Sequence, residues 1–259
     1  MAIDFARMVK RTDIDYYLKA PSNTSDCGVC RNRDWTGNDQ LTFYSTVAGY
    51  YPTSPSPAPG FTQKSPLSLL SYRINSNSAL PAYNRMERLG KGLAWNGFSS
   101  TNWTPVVFLP QSIGGPQPAG GNWPPATSTI LDDSSYEVIG PQVFRFEYYY
   151  LLKNGQLSST PWYSASSVRG LQDVSAIIVD IAGIDPKSRV LLNDVQIATL
   201  AGTLIDYGGS AAANCPAPNW QNPGELRRQW QCVLDNTASV PDPAIQGVRL
   251  HERYFYLNR

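Results

Sequence analysis

The sequence predicts an α+β fold: a helix at the start, then mostly antiparallel strands with helices inserted among them. Three observations carry this expectation. Phe5, Met8, Val9, Thr12 and Tyr16 recur at helical spacing over residues 3–19, while Arg7, Lys10, Arg11 and Asp15 fall mostly off that stripe. Phe144, Phe146, Tyr148 and Tyr150 alternate with Arg145, Glu147 and Tyr149, the period of a half-buried strand. Residues 174–184 (VSAIIVDIAGI) form a near-continuous apolar run rich in β-branched side chains, which reads as a strand covered on both faces. One helix followed mainly by strands builds an antiparallel sheet with the helix packed against it.

The elements follow in order. The helix over 3–19 stops at Pro21, Ser22 and Asn23. A polar loop over 22–40 holds Cys27 and Cys30, and 41–50 (LTFYSTVAGY) is a strand. Residues 51–64 are rich in Pro, Ser and Gly and form a surface loop. Residues 66–74 and 84–95 pair as strands around an Asn/Ser turn at 75–78. A short buried strand is expected at 105–110 and an exposed Gly/Pro excursion at 111–130. After the strand containing Phe146, Asn154-Gly155 makes a tight hairpin turn, and the returning strand runs from Leu157 to Trp162. Leu191, Val195, Ile197, Ala198 and Leu204 predict a helix over 188–205. Pro223 introduces another over 224–234, and 247–257 (GVRLHERYFYL) closes the chain as a strand. The central sheet is expected to contain 143–152, 174–184 and 247–257, and no internal repeat is visible.

The chain has 259 residues, read as one domain over 1–259: a helix over 1–20 and a β-rich body over 21–259. Charged residues make up 16%, below the roughly 25% usual in globular proteins. The formal net charge is +1 and no segment concentrates Lys and Arg, which argues against nucleic acid and anionic membrane surfaces as partners. No apolar run approaches the roughly 18 residues that a membrane-crossing helix needs. The opening residues, charged at Asp4 and Arg7, do not read as a signal peptide.

The four cysteines fall into two local pairs, Cys27/Cys30 and Cys215/Cys232. An even count in Pro/Gly-rich surroundings fits disulfides in an oxidising compartment. A zinc site using all four and a set of free thiols are the rival readings, although the spacing of the second pair is too wide for a zinc ribbon.

The usual catalytic constellations are missing from the sequence. Hydrolases need a nucleophile, a base and an orienting group within reach. The single histidine, His251, sits between Arg249 and Arg253 in the last strand and reads as an exposed or cross-strand hydrogen-bonding residue. No phosphate loop or nucleophile elbow occurs. Glu137, Glu147 and Asp180 could serve a carboxylate-based glycoside hydrolysis. Glu147 nonetheless lies near Arg145 and Lys153, where an ion pair is expected, and Asp132-Asp133 reads as a solvated pair. Trp103, Trp123 and Trp220 raise a binding module as the alternative, an extracellular adhesin whose rings stack on sugars. The competing reading is that these rings pin long loops to the body.

Several segments together resemble one family. They are DFARMVKRTDIDYYLK (4–19), GNDQLTFYS (37–45), SLLSYRI (68–74), MERLGKGLAW (86–95), YEVIGPQVFRFEYYYLLKNG (136–155), the dipeptide at 161–162, DVSAIIVDIAGIDPKSR (173–189) and VRLHERYFYL (248–257). The set resembles the prepilin-like proteins called Verru_Chthon cassette protein C. More broadly it is similar to large minor pilins and pseudopilins of type IV pilus and type II secretion systems. The resemblance implies a pilin-like head and a structural role without catalysis, cofactor or metal. It implies a place in the cell envelope, periplasmic or extracellular. In a full-length form, a leader and about 20 apolar residues would precede the helix and anchor it in the inner membrane. Other prepilin-like subunits would pack on the helix through Phe5, Met8, Val9, Thr12 and Tyr16. Pilin-like heads often close a loop near the C-terminus with a disulfide, so the resemblance implies bridges 27–30 and 215–232, the second being structural.

Overall fold

The structure, a computed structural model, describes residues 1–10, 37–49, 64–94, 136–161, 163, 171, 173–238 and 240–257. Among these residues the architecture is α+β, with two antiparallel sheets of four strands each. Sheet A is a meander of β1 (Gln40–Ser45), β2 (Lys64–Ile74), β3 (Met86–Ala94) and β4 (Glu137–Gly140), neighbours in chain order. Sheet B has the order β6-β5-β7-β8, with β5 at Val143–Leu152, β6 at Leu157–Ser158, β7 at Val174–Ile184 and β8 at Val248–Tyr256. The expected central sheet is present as β5, β7 and β8. The Asn154-Gly155 turn joins β5 to β6, with Gly155 at φ +86°, a conformation that a side chain rarely tolerates. Its closure is a pair of backbone bonds, Leu152 N–H to Gln156 C=O and Gly155 N–H to Leu152 C=O.

Two apolar clusters explain why β5 and β7 are covered on both faces. The first lies between the sheets, where Phe43, Leu70 and Tyr72 of sheet A meet Phe146, Tyr148, Tyr150 and Ile177 of sheet B. On the opposite face of sheet B, Tyr149, Ile178 and Ala182 meet helices α3 (Asp194–Thr203) and α4 (Glu225–Asn236) through Ile197, Leu200, Leu226 and Trp230. The sheets are also joined by backbone. Asn38 and Asp39, just before β1, cover part of the edge of β5: Asp39 N–H donates to Phe146 C=O at 2.9 Å. Asn38 Oδ1 accepts from Phe146 N–H and Asp39 Oδ2 from Tyr148 N–H.

Four expectations are corrected. Among the described residues the first helix, α1, spans Ala2–Ala6, and residues 7–10 of the helix expected over 3–19 are not helical; residues 11–19 lie outside the described residues. At Arg7 the chain leaves helical geometry and lies along the edge of β1. Met8 bridges to Ser45, Val9 N–H donates to Tyr44 C=O, and Thr46 N–H donates to Arg7 C=O. Strand-edge partners for residues 7–9 replace the hydrogen bonds that a continuing helix would have made. Second, β5 is buried on both faces, and Arg145 and Glu147 are fully enclosed. A bulge between Val143 and Arg145 breaks the alternation, so Phe144 packs with Tyr149 on the helix side while Phe146 packs on the sheet-A side.

Third, the helix expected over 188–205 is two helices. Asp185 caps α2 (Pro186–Arg189), and Asn193 caps α3 with a reciprocal bond from Gln196. Leu191 and Val195 are exposed, whereas Leu192, Ile197, Leu200 and Leu204 turn inward. Fourth, the returning strand of the hairpin is only Leu157–Ser158. The expected strand at 105–110, the excursion at 111–130, Trp162 and most of the loop at 22–40 lie outside the described residues.

Candidate functional site

The sequence places a buried carboxylate, Asp4, immediately before Phe5, where α1 enters the first apolar cluster. Asp4 is enclosed, and its carboxylate is held by Arg88 of β3, with Nε at 2.8 Å and Nη2 at 3.0 Å. The Tyr72 hydroxyl of β2 donates to the same carboxylate, and the α-amino group of Met1 lies 3.7 Å away. Burial pushes Asp4 upward, but the donated bonds and charge of Arg88, with Tyr72, outweigh it and hold the carboxyl below its ordinary value. Burial, then the Asp4 contact, pushes the Tyr72 phenol well above its usual range.

Beside this pair, Phe5 enters the first cluster. Its ring stacks on Phe255 of β8, centroids 4.1 Å apart, and lies 5.0 Å from Phe43 of β1. The seat of α1 therefore draws on β1, β2 and β3 of sheet A and β8 of sheet B. Phe5 and Met8 are buried, Val9 is half-buried, and Thr12 and Tyr16 lie outside the described residues. Outward, α1 presents Ile3, 69% exposed.

A second polar group sits under the helices on sheet B. Register sets Glu147 of β5 opposite Asp180 of β7, and Asp180 opposite Glu252 of β8, three carboxylate residues in one row. Arg145 Nη2 lies 2.5 Å from Asp206 Oδ1 and 3.5 Å from Glu147 Oε2, and its guanidinium lies 5.5 Å from the Trp230 ring. Gly37, at φ +80°, closes over it; a Cβ there would come within 3.0 Å of Arg145 Nη1. Glu147 Oε1 accepts the backbone N–H of Tyr207, whose ring stacks on Tyr149 at 4.2 Å. The Tyr149 hydroxyl donates to Glu252. Burial raises Glu252 above its ordinary value despite the Tyr149 bond and the nearby Arg227 charge.

Glu147 anchors the loop after α3 through the Tyr207 N–H, and Arg145 faces Trp230 of α4. Glu147 and Asp180 are closed to solvent and Glu137 is exposed on β4, so the three carboxylates considered for glycoside hydrolysis do not converge on one accessible site. The expected ion pair between Arg145 and Glu147 is present, while Lys153 is exposed at the hairpin. His251 is exposed on β8 opposite Ile181. Trp220 is half-buried: its Nε1–H donates to Gly209 C=O and its ring packs on Tyr207, so it pins the 206–222 loop. Trp103, Trp123 and Asp132-Asp133 lie outside the described residues.

Cys215 and Cys232 are bridged, their Cα atoms 5.9 Å apart. The bridge ties the loop after Tyr207 to α4, ahead of the final strand. Cys27 and Cys30 lie outside the described residues. Among the described residues no group of His, Cys, Asp and Glu is arranged to hold a metal ion, and no helix is long and apolar enough to cross a membrane.

Sequence reasoning missed the Asp4–Tyr72–Arg88 group and the caps supplied by Asn38 and Asp39. Both join positions far apart in the chain, and no local period announces them. The carboxylate row was within reach: Glu147, Asp180 and Glu252 all interrupt apolar strand patterns, and only the register between strands was lacking. Comparison with protein-family models, with curated proteins and with solved structures finds no match to this chain.

Proposed function

We propose that this chain is the head of a prepilin-like subunit, a structural part of a type IV pilus or type II secretion-like assembly in the cell envelope. The observation that supports this reading best is the order of its parts. A short N-terminal helix seats Phe5 in the core and is followed by Met8 at the edge of β1, antiparallel sheets follow, and a disulfide-tied loop and helix precede the last strand. The resemblance of the sequence implies a longer helix followed by antiparallel strands and a disulfide-closed loop near the C-terminus, and this reading rests on that resemblance. Sheets built around the seat of α1 would carry load between the helix and the body, which is the task of a filament head. The outward Ile3 side of α1 would face neighbouring subunits. In this role the buried ionic groups hold the fold and turn over no substrate.

The test is the full reading frame expressed with a prepilin peptidase. The expected result is a precursor that loses a leader, gains a methylated N-terminus by mass spectrometry, and cross-links to other prepilin-like subunits through Ile3→Cys. An uncleaved precursor, with Ile3→Cys forming no cross-link in the envelope, would overturn the reading.

A further inference from the structure

The last strand, β8, is the edge of sheet B, pairing with β7 on one side only among the described residues. The bonds at its two ends fix which backbone groups face outward. Asp185 N–H donates to Gly247 C=O at one end, and Leu257 N–H donates to Ser175 C=O at the other. Antiparallel pairing alternates, so the odd-numbered residues from 247 to 257 bond to β7. The even-numbered ones, Val248, Leu250, Glu252, Tyr254 and Tyr256, turn their N–H and C=O groups outward. Among the described residues, only the Val248 carbonyl at this edge is taken, by Arg249 Nη1 at 2.9 Å. Leu250, Glu252, Tyr254 and Tyr256 thus offer a run of backbone donors and acceptors.

The side chains along this edge are sorted by face. Arg249, His251 and Arg253 are all exposed on the sheet-A side, and they make no ion pair among the described residues. At about 3.3 Å per residue they span roughly 13 Å, with cationic or protonatable groups on alternate residues. On the other side Leu250 and Tyr254 pack against the helix-side cluster and Tyr256 is 60% exposed. A strand laid beside β8 would meet basic groups on one face and apolar and aromatic groups on the other.

We propose that the edge of β8 is a docking site for an extended segment of a partner protein in which acidic residues alternate with apolar ones, adding to sheet B as a further strand. Main-chain bonds to the outward amides supply affinity, and carboxylates opposite Arg249, His251 and Arg253 set register and specificity. The same charges argue against a second copy pairing through its own β8. An antiparallel pair centred on His251 sets Arg249 against Arg253 twice, and like charges directly opposite are destabilising. The inference does not depend on the filament reading.

The test uses the 259-residue chain and a fluorescein-labelled synthetic peptide of alternating Glu and Val, followed by fluorescence anisotropy. The acidic peptide is expected to bind, and its Lys/Val counterpart is not. The double variant His251→Glu/Arg253→Glu should weaken binding at least about tenfold, while Arg253→Lys retains it. Methylating alternate peptide nitrogens should weaken binding as much, because added-strand bonds need those amides. Hydrogen exchange should slow at Leu250, Glu252 and Tyr254 when the peptide is present. Equal binding of the Glu and Lys peptides, unchanged binding of the methylated peptide, or full binding to a folded charge-reversed variant would each overturn the proposal. So would a concentration-dependent dimer of the free chain that the peptide dissociates, since a second copy would then be the occupant.

Discussion

Phe5 and Phe255 stack almost parallel, planes within 10° and centroids 4.1 Å apart, so the first helix and the last strand share one contact in the core. Phe5 is 2% exposed and Phe255 9%, which makes this an interior contact. Truncating Phe5 to Ala should therefore cost about 3–5 kcal/mol in a denaturant melt, because the site is lined by three other rings and cannot collapse. Ile3→Ala, on the exposed side of the same helix, should change stability by less than about 0.5 kcal/mol. Equal effects would mean that α1 is not seated in solution.

Glu147→Ala should be as damaging as Phe146→Ala. Removing the carboxylate leaves Arg145 fully enclosed with Asp206 as its remaining ion partner and strips the acceptor from Tyr207 N–H. Breaking a buried pair in this way costs about 3–5 kcal/mol, similar to the loss of a buried aromatic ring. If Glu147→Ala falls within about 1 kcal/mol of wild type, the value of an exposed pair, the burial of this row is wrong.

Two carboxylates should give opposite pH dependences. Asp4 is held below its ordinary value, so the folded state binds its proton less readily than the unfolded chain does. Its contribution is present above about pH 4 and is lost as pH falls through the folded value. Asp4→Asn should then destabilise most at neutral pH and progressively less in acid. Glu252 is raised, chiefly by burial, so the folded state binds the proton more readily. Its penalty grows as pH rises from about 4.3 through the folded value. Glu252→Gln should raise the melting temperature near pH 8 and lose that advantage near pH 4. Melts of the two variants from pH 3 to 8 should show curves of opposite slope relative to wild type; parallel curves would refute both assignments.

Reducing the Cys215–Cys232 bridge should lower stability by about 3 kcal/mol, the chain entropy of a loop of 17-residue separation. The loss should concentrate in the 206–222 loop and α4, read as faster hydrogen exchange there. Peptide mapping of non-reduced protein should recover 215 linked to 232. A link from either residue to Cys27 or Cys30 would be incompatible with the observed pairing, and stoichiometric zinc would revive the metal reading of the remaining cysteines.

The strands were readable wherever one local signal dominated. The apolar run of β7, the Asn154-Gly155 turn and the positions of β1, β2, β3 and β8 all followed from period and turn chemistry. The helix expected over 3–19 was misread at residues 7–10, because the partners of that stretch are not local. Residues 7–9 find the edge of β1, some forty positions onward, and that pairing overrides the helical period. Arg145 and Glu147 were placed outside for a related reason. A charge in an alternating strand ordinarily marks the wet face, and only the presence of α4 and of Asp206 explains an enclosed one. The Cys215–Cys232 bridge came from the resemblance and agrees with the structure, while Phe5 and Met8, expected to pack against other subunits, are buried in the chain's own core.

The Phe5–Phe255 contact also bears on the order of events during synthesis. Sheet A is a meander, so each of its strands can pair with the one just made before it. The seat of α1 cannot be completed that way, because its last ring belongs to β8 and is translated near the end of this chain. Until then Phe5 lacks the Phe255 side of its cover, although β5 and β7 can already lie against sheet A, and a nascent chain halted before β8 leaves aromatic surface exposed there. The closing step joins residues separated by almost the whole chain, and the entropy of that large loop must be met by contacts already in place. The Phe5–Phe255 contact is therefore among the last that a chain growing from its N-terminus can complete.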